Sequence, residues 1–199
     1  VSGGIIMPTP LAVLRMAELL ATGAGDEPGM GDTIAMDVGG ATTDVHSASW
    51  GRPVDMPLAG LEEPFAKRTV EGDLGLRVSA MSLLEVARRT QLPTHMADGL
   101  DSNEAWLRAD YLSSHTDALP HTAAEWGMDV TMGSVAAYLA MTRHSGRLEF
   151  VSSREGTEPV QVGKDLRPVK TLVGTGGVFA FGARPEAILS SCLFDPLDR

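Results

Sequence analysis

The chain of 199 residues has a formal charge of −10, with 43% apolar and 21% charged residues. That balance fits a folded domain with a real core, excludes a disordered tail, and argues against gripping nucleic acid or an anionic membrane as the main task. The single cysteine, Cys192, rules out an internal disulfide framework and fits a reducing cytoplasm.

No apolar run approaches the roughly 18–20 residues that a membrane span requires. The N-terminus has no basic stretch leading into an apolar core, and a start at Val1 reads as that of a processed product or an excised piece. Residues 1–8, VSGGIIMP, read as a connector or strand end. Thr9 and Pro10 predict a helix start, with Thr9 as cap and Pro10 at the first helical position, where its missing N–H costs nothing. Leu11, Leu14, Ala17 and Ala21 then recur at helical spacing, and Gly23 predicts the stop. ATGAGDEPGMGD (21–32) reads as a solvent loop.

From Thr33 the pattern is extended. TIAMDV, a Gly-Gly turn and TTDVHSASW predict two antiparallel strands. RPVDMPLAG adds an irregular third strand, and AKRTVEG (66–72) a fourth. A helical middle follows: SAMSLLEVARR, with Met81, Leu84, Val86 and Ala87; DSNEAWLRADYL, with Asp101 and Glu104 at capping-box spacing; and TMGSVAAYLAMTRHSG, with Arg143 and His144 at its negative end. PVKTLV returns to strand, GTGG makes a loop and VFAFG a weak helix. The order predicts an α/β fold with a central sheet and helices packed on it.

Two glycine loops carry the chemistry. In DVGGATTD, Gly39 and Gly40 let backbone N–H groups approach a phosphate, and the hydroxyls of Thr42 and Thr43 add donors. Asp37 and Asp44 would repel a bare phosphate, so their presence makes sense with Mg²⁺ between, which takes one or two carboxylates and keeps several waters. Alone, DVGG reads first as a tight hairpin turn. In LVGTGGVFAFG, a strand, glycines and a helix start present N–H groups to an anion or a purine. No lysine-serine or lysine-threonine pair makes it a Walker A loop, and Phe179 stands where a dinucleotide fingerprint has its third glycine.

Other residues are weaker candidates. RTVEGDLGLR (68–77), with charges punctuated by Gly72 and Gly75, reads from its residues as a solvated turn after a strand. Lys164 and Arg167 in GKDLRP read first as surface residues, with nucleotide contact as the alternative, and His46 reads as a surface residue of its strand rather than a catalyst. His115 and His121 lack metal-ligand spacing, and DSNEAWLRAD lacks the glycine and terminal glutamate of a calcium loop. Met96, Trp106, Trp126, Met128 and Met132 read as packing residues, with a partner surface as the alternative.

Together the loops resemble the second phosphate loop and the adenosine loop of the actin, sugar kinase and DnaK-type chaperone superfamily. A narrower resemblance spans residues 5–182: MPTPLAVL, MDVGGATTDVHS, KRTVEGDLGLR, RHSGRLE and GKDLRPVKTLVGTGG are similar to the glutamate mutase MutL family, which is unrelated to the mismatch-repair protein of that name. It implies an RNase H-like (actin-like ATPase) domain, a mixed sheet flanked by helices with a helical region over about 75–146. Residues 1–199 would be one half-domain whose partner half, with the first phosphate loop, is not in this chain.

The function implied is that of a cytoplasmic, ATP-dependent chaperone or reactivating factor for an adenosylcobalamin-dependent aminomutase such as glutamate mutase. ATP or ADP with Mg²⁺ is the implied cofactor and a mutase subunit the implied partner, with no nucleic acid or membrane. Asp37 and Asp44 become the catalytic carboxylates, with Asp37 on Mg²⁺ through water, and the resemblance makes RTVEGDLGLR a cleft-lining segment with Glu71 or Asp73 near the metal-bound water. Gly39, Gly40, Thr42, Thr43, Gly174, Thr175, Gly176 and Gly177 become the nucleotide-binding set. ATPase activity is then expected of the intact protein and not of this half alone. A small-molecule kinase of the same superfamily and a nucleotide-independent interaction module are the alternatives. The reading requires the turns near 40 and 175 to be neighbours.

Overall fold

Pro8 sets the entry into the first helix. In this computed structural model, which describes residues 7–154 and 156–193, α1 (Thr9–Thr22) follows Pro8 at φ −62° and ψ 145°, with no side-chain cap. Thr9 is thus the first helical residue and not the cap that the Thr-Pro pair predicts, because Pro8 already fixes the extended approach. Of the connector expected over 1–8, only Met7 and Pro8 are among the described residues. Ala17 and Ala21 are buried as the spacing predicts, while Leu11 is 51% exposed. Gly23 ends the helix at φ 88°, its N–H on Leu19 O.

The expected solvent loop contains a small antiparallel ribbon, β1 (Gly23–Ala24) with β2 (Glu27–Pro28). Then come β3 (Thr33–Val38) and β4 (Thr43–Ala48). Four connecting residues are too few for a parallel crossover, so these strands run antiparallel. Of RPVDMPLAG, only β5 (Leu58–Ala59) is regular, and β6 (Ala66–Glu71) follows. Next are α2 (Ala80–Arg89), α3 (Thr94–Ala97), α4 (Asn103–Ser114) and α5 (Ala123–His144). The chain continues through β7 (Arg147–Ser153), β8 (Gly156–Val162), β9 (Thr171–Thr175), α6 (Gly177–Phe181) and α7 (Pro185–Ser190).

The architecture is mixed α/β, with helices flanking the sheets. One sheet has the order β6-β4-β3-β9 and another β5-β8-β7. In the latter, β5 runs parallel to β8, and β7 pairs antiparallel with β8 from Arg147↔Val162 to Ser153↔Gly156. The third predicted strand therefore joins a different sheet from β3 and β4.

Capping chemistry corrects two helix starts. Ser102, not Asp101, caps α4 by accepting from Ala105 N–H at 3.1 Å, which leaves Glu104 in the first turn. α5 begins eight residues before the predicted Thr131, because Thr122 and Glu125 form a reciprocal capping box. Glu125 N–H donates to Thr122 Oγ1 at 3.3 Å, and Thr122 N–H to Glu125 Oε2 at 3.1 Å.

The described residues fall into two compact units. One lies within Val1–Ala35, His46–Arg68 and Thr142–Val173, the other within Met36–Val45, Thr69–Met141 and Gly174–Arg199. The first packs Ala17, Ala21, Ala35 and Ala48 with Val13, Met16 and Phe65, small residues that let α1 lie close to the strands. In the second, Gly133 on α5 receives Ile188 of α7, where a Cβ would stand 2.9 Å from Ile188 Cδ1.

Candidate functional site

The turn between β3 and β4 is closed by Gly39 N–H on Thr42 O at 2.9 Å. Its next carbonyls are all held from one side. Leu76 N–H donates to Gly39 O at 3.0 Å and Arg77 N–H to Gly40 O at 2.7 Å. Ser79 Oγ lies 2.7 Å from Ala41 O and 2.8 Å from Gly72 O, one hydroxyl shared by two carbonyls. A trans peptide sets its C=O and the following N–H on opposite sides, and no cis bond occurs among the described residues. The N–H groups of Gly40, Ala41 and Thr42 therefore point away from residues 76–79. Successive amides aimed one way form a concave patch of positive partial charge that suits an anion.

Glycine is required where the two segments meet. A Cβ on Gly75 would overlap the Ala41 carbonyl carbon and stand 2.5 Å from Gly40 O. RTVEGDLGLR is thus neither a plain solvated turn nor simply a cleft wall. Its second glycine lets residues 72–79 press against the Gly39–Thr42 turn from beneath.

The second loop reaches the same place. β9 lies beside β3, and Gly176, at φ 96°, sits where a Cβ would come 2.7 Å from Asp37 Oδ1 and 2.8 Å from Val38 O. The two glycine loops are neighbours, both within the second unit. Gly177 opens α6 with nothing near the position of a Cβ, leaving space above it. Gly174 has a different use, since a Cβ there would press on the Phe179 ring at 2.6 Å. Thr175 is half-buried in β9.

The acids and hydroxyls divide in role. Asp37 is half-buried at the end of β3. Asp44, 7% exposed, accepts the Thr42 hydroxyl at 2.9 Å and so orients it. Thr43 is buried, and its hydroxyl donates to Leu74 O at 2.6 Å. That bond ties β4 to the clamp segment and takes Thr43 out of a ligand's reach. Among the described residues no three His, Cys, Asp or Glu groups gather as a metal cluster. Asp37 is the carboxylate that faces Gly176 at the rim where the two loops meet.

Two surface expectations fail in the first unit. Lys164 is 1% exposed. Its Nζ donates to Ser49 O at 2.7 Å, Phe65 O at 2.9 Å and Ser47 Oγ at 3.2 Å, so all three ammonium protons find acceptors. Burial nevertheless lowers its pKa to about 8. Ser47 Oγ also lies 2.9 Å from His144 Nε2. Burial, with Lys67 and Lys164 nearby, pushes His144 down to about 3, so the ring is neutral, and its tautomer sets which partner donates in the bond to Ser47. His46 is likewise fully buried on β4, a strand buried along its whole length. The polar letters of TDVHSA hide that burial, and the sequence signal is only the position of the run between two other strands. Arg167 is exposed as expected and forks onto Asp165, holding that carboxyl below its ordinary range.

The remaining candidates are structural. His115 stacks on Tyr111 with ring centroids 4.2 Å apart, and His121 N–H donates to Glu125. Met96 and Met132 are buried, while Trp106, Trp126 and Met128 are half-buried. Burial raises the Cys192 thiol to about 12. Among the described residues no helix is long and apolar enough to cross a membrane.

The family model described as "MutL protein" matches residues 1–198. "Protein MutL" of Clostridium tetanomorphum is 46% identical over 197 residues, which cover 98% of this chain and 42% of that relative. The chain thus spans less than half the length of the curated relative it matches. No solved structure matches significantly.

Proposed function

Because the chain belongs to the MutL family, we propose that it forms the phosphate- and adenosine-binding wall of an ATP-dependent chaperone or reactivating factor. The client in this reading is an adenosylcobalamin-dependent aminomutase such as glutamate mutase. One observation carries the nucleotide part: the carbonyls of Gly39, Gly40 and Ala41 are held by residues 76–79, which leaves the amides of Gly40, Ala41 and Thr42 turned outward together. That patch fits phosphate oxygens. Thr42 adds a hydroxyl oriented by Asp44, and Asp37 would hold a Mg²⁺ through water. Gly176 and Gly177 let a nucleoside approach the rim next to Asp37, while Gly39, Gly174 and Thr175 shape the two loops.

Bound MgATP supplies the transferable phosphoryl group and the negative charge that the turn is shaped to meet. The neighbouring loops on β3 and β9 support an RNase H-like, actin-like arrangement, in which phosphate and adenosine loops share one rim. ATP hydrolysis belongs, in this reading, to the longer family member. Closure on the nucleotide and reopening after hydrolysis then loosen the mutase so that damaged cobalamin leaves.

A second reading, a nucleotide-independent interaction module, is favoured by one observation. β7 is the outer strand of its sheet and exposes Phe150 (72%) with Leu148 and Val151. Calorimetric titration of the chain and of the longer protein with MgATP separates the two. Binding that weakens at least about tenfold in Asp37→Ala is expected, on the scale of one lost charge-assisted contact. Equal binding by the variant rules out the site, and phosphorylation of an added sugar or acid points to a kinase instead.

A further inference from the structure

The clamp beneath the turn extends beyond its backbone bonds. Arg77, whose N–H holds Gly40 O at 2.7 Å, lays its stem along the turn: a Cβ on Gly40 would meet Arg77 Cβ at 3.3 Å and Cγ at 3.4 Å. Its guanidinium then leaves in the other direction. Nη2 donates to Asp129 Oδ2 on α5 at 2.8 Å, and Nε donates to Ala118 O, in the connection between α4 and α5, at 3.3 Å. One residue therefore grips the turn with its backbone and the helical region with its side chain, all within the second unit.

The far end of this link is poised. Asp129 is 6% exposed, and its Oδ1 has no hydrogen-bond partner among the described residues. A buried carboxylate with one oxygen unpaired is costly, and a pair selected only for rigidity would use the full guanidinium fork on both oxygens. Among the described residues, compensation of the Asp129 charge rests on the contact that Arg77 makes, so a small displacement of Arg77 is felt on α5.

The turn can supply that displacement. An anion bound to Ala41 N–H polarises the Gly40–Ala41 peptide, and a peptide that donates at one end accepts more strongly at the other. The Gly40 O bond to Arg77 N–H then tightens.

We propose that Arg77 is a positioning residue that couples occupancy of the Gly39–Thr42 turn to α5 through Asp129, making the α4–α5 region the output of the phosphate turn. The regulatory part rests on the phosphate reading above; the mechanical coupling does not. Linkage makes it reciprocal: loosening Asp129 must loosen the turn.

Amide exchange followed by NMR on the whole chain without ligand tests the mechanical coupling. The probes are the N–H groups of Gly39, Leu76 and Arg77, which the turn itself bonds. In Asp129→Asn these are expected to exchange about tenfold faster, within the usual range of coupling between sites, while α6 and α7 keep their rates. Arg77→Lys, which keeps the backbone N–H and the charge but loses the fork, is expected to accelerate the same amides less, and it serves if the first variant does not fold. Unchanged probes in the folded variants, or equal acceleration of every slow amide, would overturn the coupling. Adding MgATP tests the rest: protection of the turn together with 123–135 in the wild type, and of the turn alone in Asp129→Asn, supports the output role. Wild-type protection confined to the turn overturns that role, whereas no protection anywhere overturns the phosphate reading and leaves the ligand-independent result to decide the link.

Discussion

Gly176 stands so close to Asp37 that a methyl group on its α-carbon would lie 2.7 Å from Asp37 Oδ1. Two segments more than a hundred residues apart in sequence meet at that contact, and the glycine holds φ at 96°, where an L side chain is strained. Gly176→Ala should therefore lose about 2–4 kcal/mol, the strain of that backbone region plus the overlap, as read by urea unfolding. The neighbouring Gly177 has open space around its α-carbon, and alanine suits a helix better than glycine. Gly177→Ala should match or slightly exceed the parent in stability while weakening MgATP binding, because the added methyl fills the nucleoside's approach. Undiminished affinity in Gly177→Ala would remove that residue from the nucleotide-binding set.

Ser79 gives the turn a separable handle. Its hydroxyl is shared between Ala41 O and Gly72 O, and it is exposed enough that water can replace it. Ser79→Ala should cost about 1 kcal/mol of stability, the net worth of an ordinary hydrogen bond. Affinity for MgATP should fall about fivefold or more, because the Ala41 carbonyl then no longer fixes the direction of the Thr42 amide. Gly75→Ala is the stronger form of the same test. Its Cβ would meet backbone atoms of Gly40 and Ala41 that have no flexible side chain to yield, so stability and binding should fail together. Ser79→Ala binding MgATP as the parent does would show that the turn holds its shape without the clamp.

How far the sequence revealed this arrangement depended on which force set each element. The β3–β4 hairpin, the stop at Gly23 and the strand–glycine–helix run at 171–181 are local turn and period signals, and they lie where the letters place them. The meeting of Asp37 with Gly176 was legible only through the pairing of two loop motifs, since nothing local links them. Thr43 and Lys164 were misread for a common reason: residue type predicts a group's preference for water, but only the fold shows whether its hydrogen bonds are made inside. Lys164 is buried because three oxygens of Ser47, Ser49 and Phe65 converge on its nitrogen. The β7–β8 hairpin was missed although Gly156 separates the two β-prone runs RLEFVSS and TEPVQV. The T-x-x-E box at Thr122–Glu125 was an overlooked start signal for α5.

The same convergence makes Lys164 testable by substitution. Replacing it with methionine keeps much of the stem volume but takes from Ser49 O the donor that the lysine supplies, while Phe65 O keeps the Ser49 N–H and Ser47 Oγ keeps His144 Nε2. Lys164→Met should lose about 1–3 kcal/mol, the desolvation penalty of one buried carbonyl left without its donor. Gly51 supports the lysine stem from the side, where a Cβ would stand 2.8 Å from Lys164 Cγ and where φ is 58°, so Gly51→Ala should destabilise the same network. If the methionine variant unfolds at the parent's urea midpoint, the network contributes nothing to the fold.

His144 supplies a pH signature in a window that Lys164 does not share. The ring is held at about 3 against an ordinary 6.5, chiefly by burial, with Lys67, Lys164 and His46 adding repulsion. Between those values the unfolded chain binds a proton that the folded chain refuses, so stability must fall as pH drops from 6.5 toward 3. The loss from this group is on the order of 5 kcal/mol over the window, at about 1.4 kcal/mol per unit. Lys164, lowered to about 8, is charged in both states throughout that range and adds no slope there. Its own effect lies between about 8 and 10.5, where the unfolded chain is still protonated and the folded one is not, so stability rises with pH. His144→Gln keeps a hydrogen-bonding group near Ser47 Oγ but cannot titrate. Urea unfolding at pH 7, 5.5 and 4.5 should give the variant a shallower acid dependence than the parent by up to one proton, while the two remain parallel above pH 8. Parallel curves below pH 6 as well would mean that the ring ionises freely in the folded state, and with that the buried Lys164–Ser47–His144 chain would lose its neutral terminus.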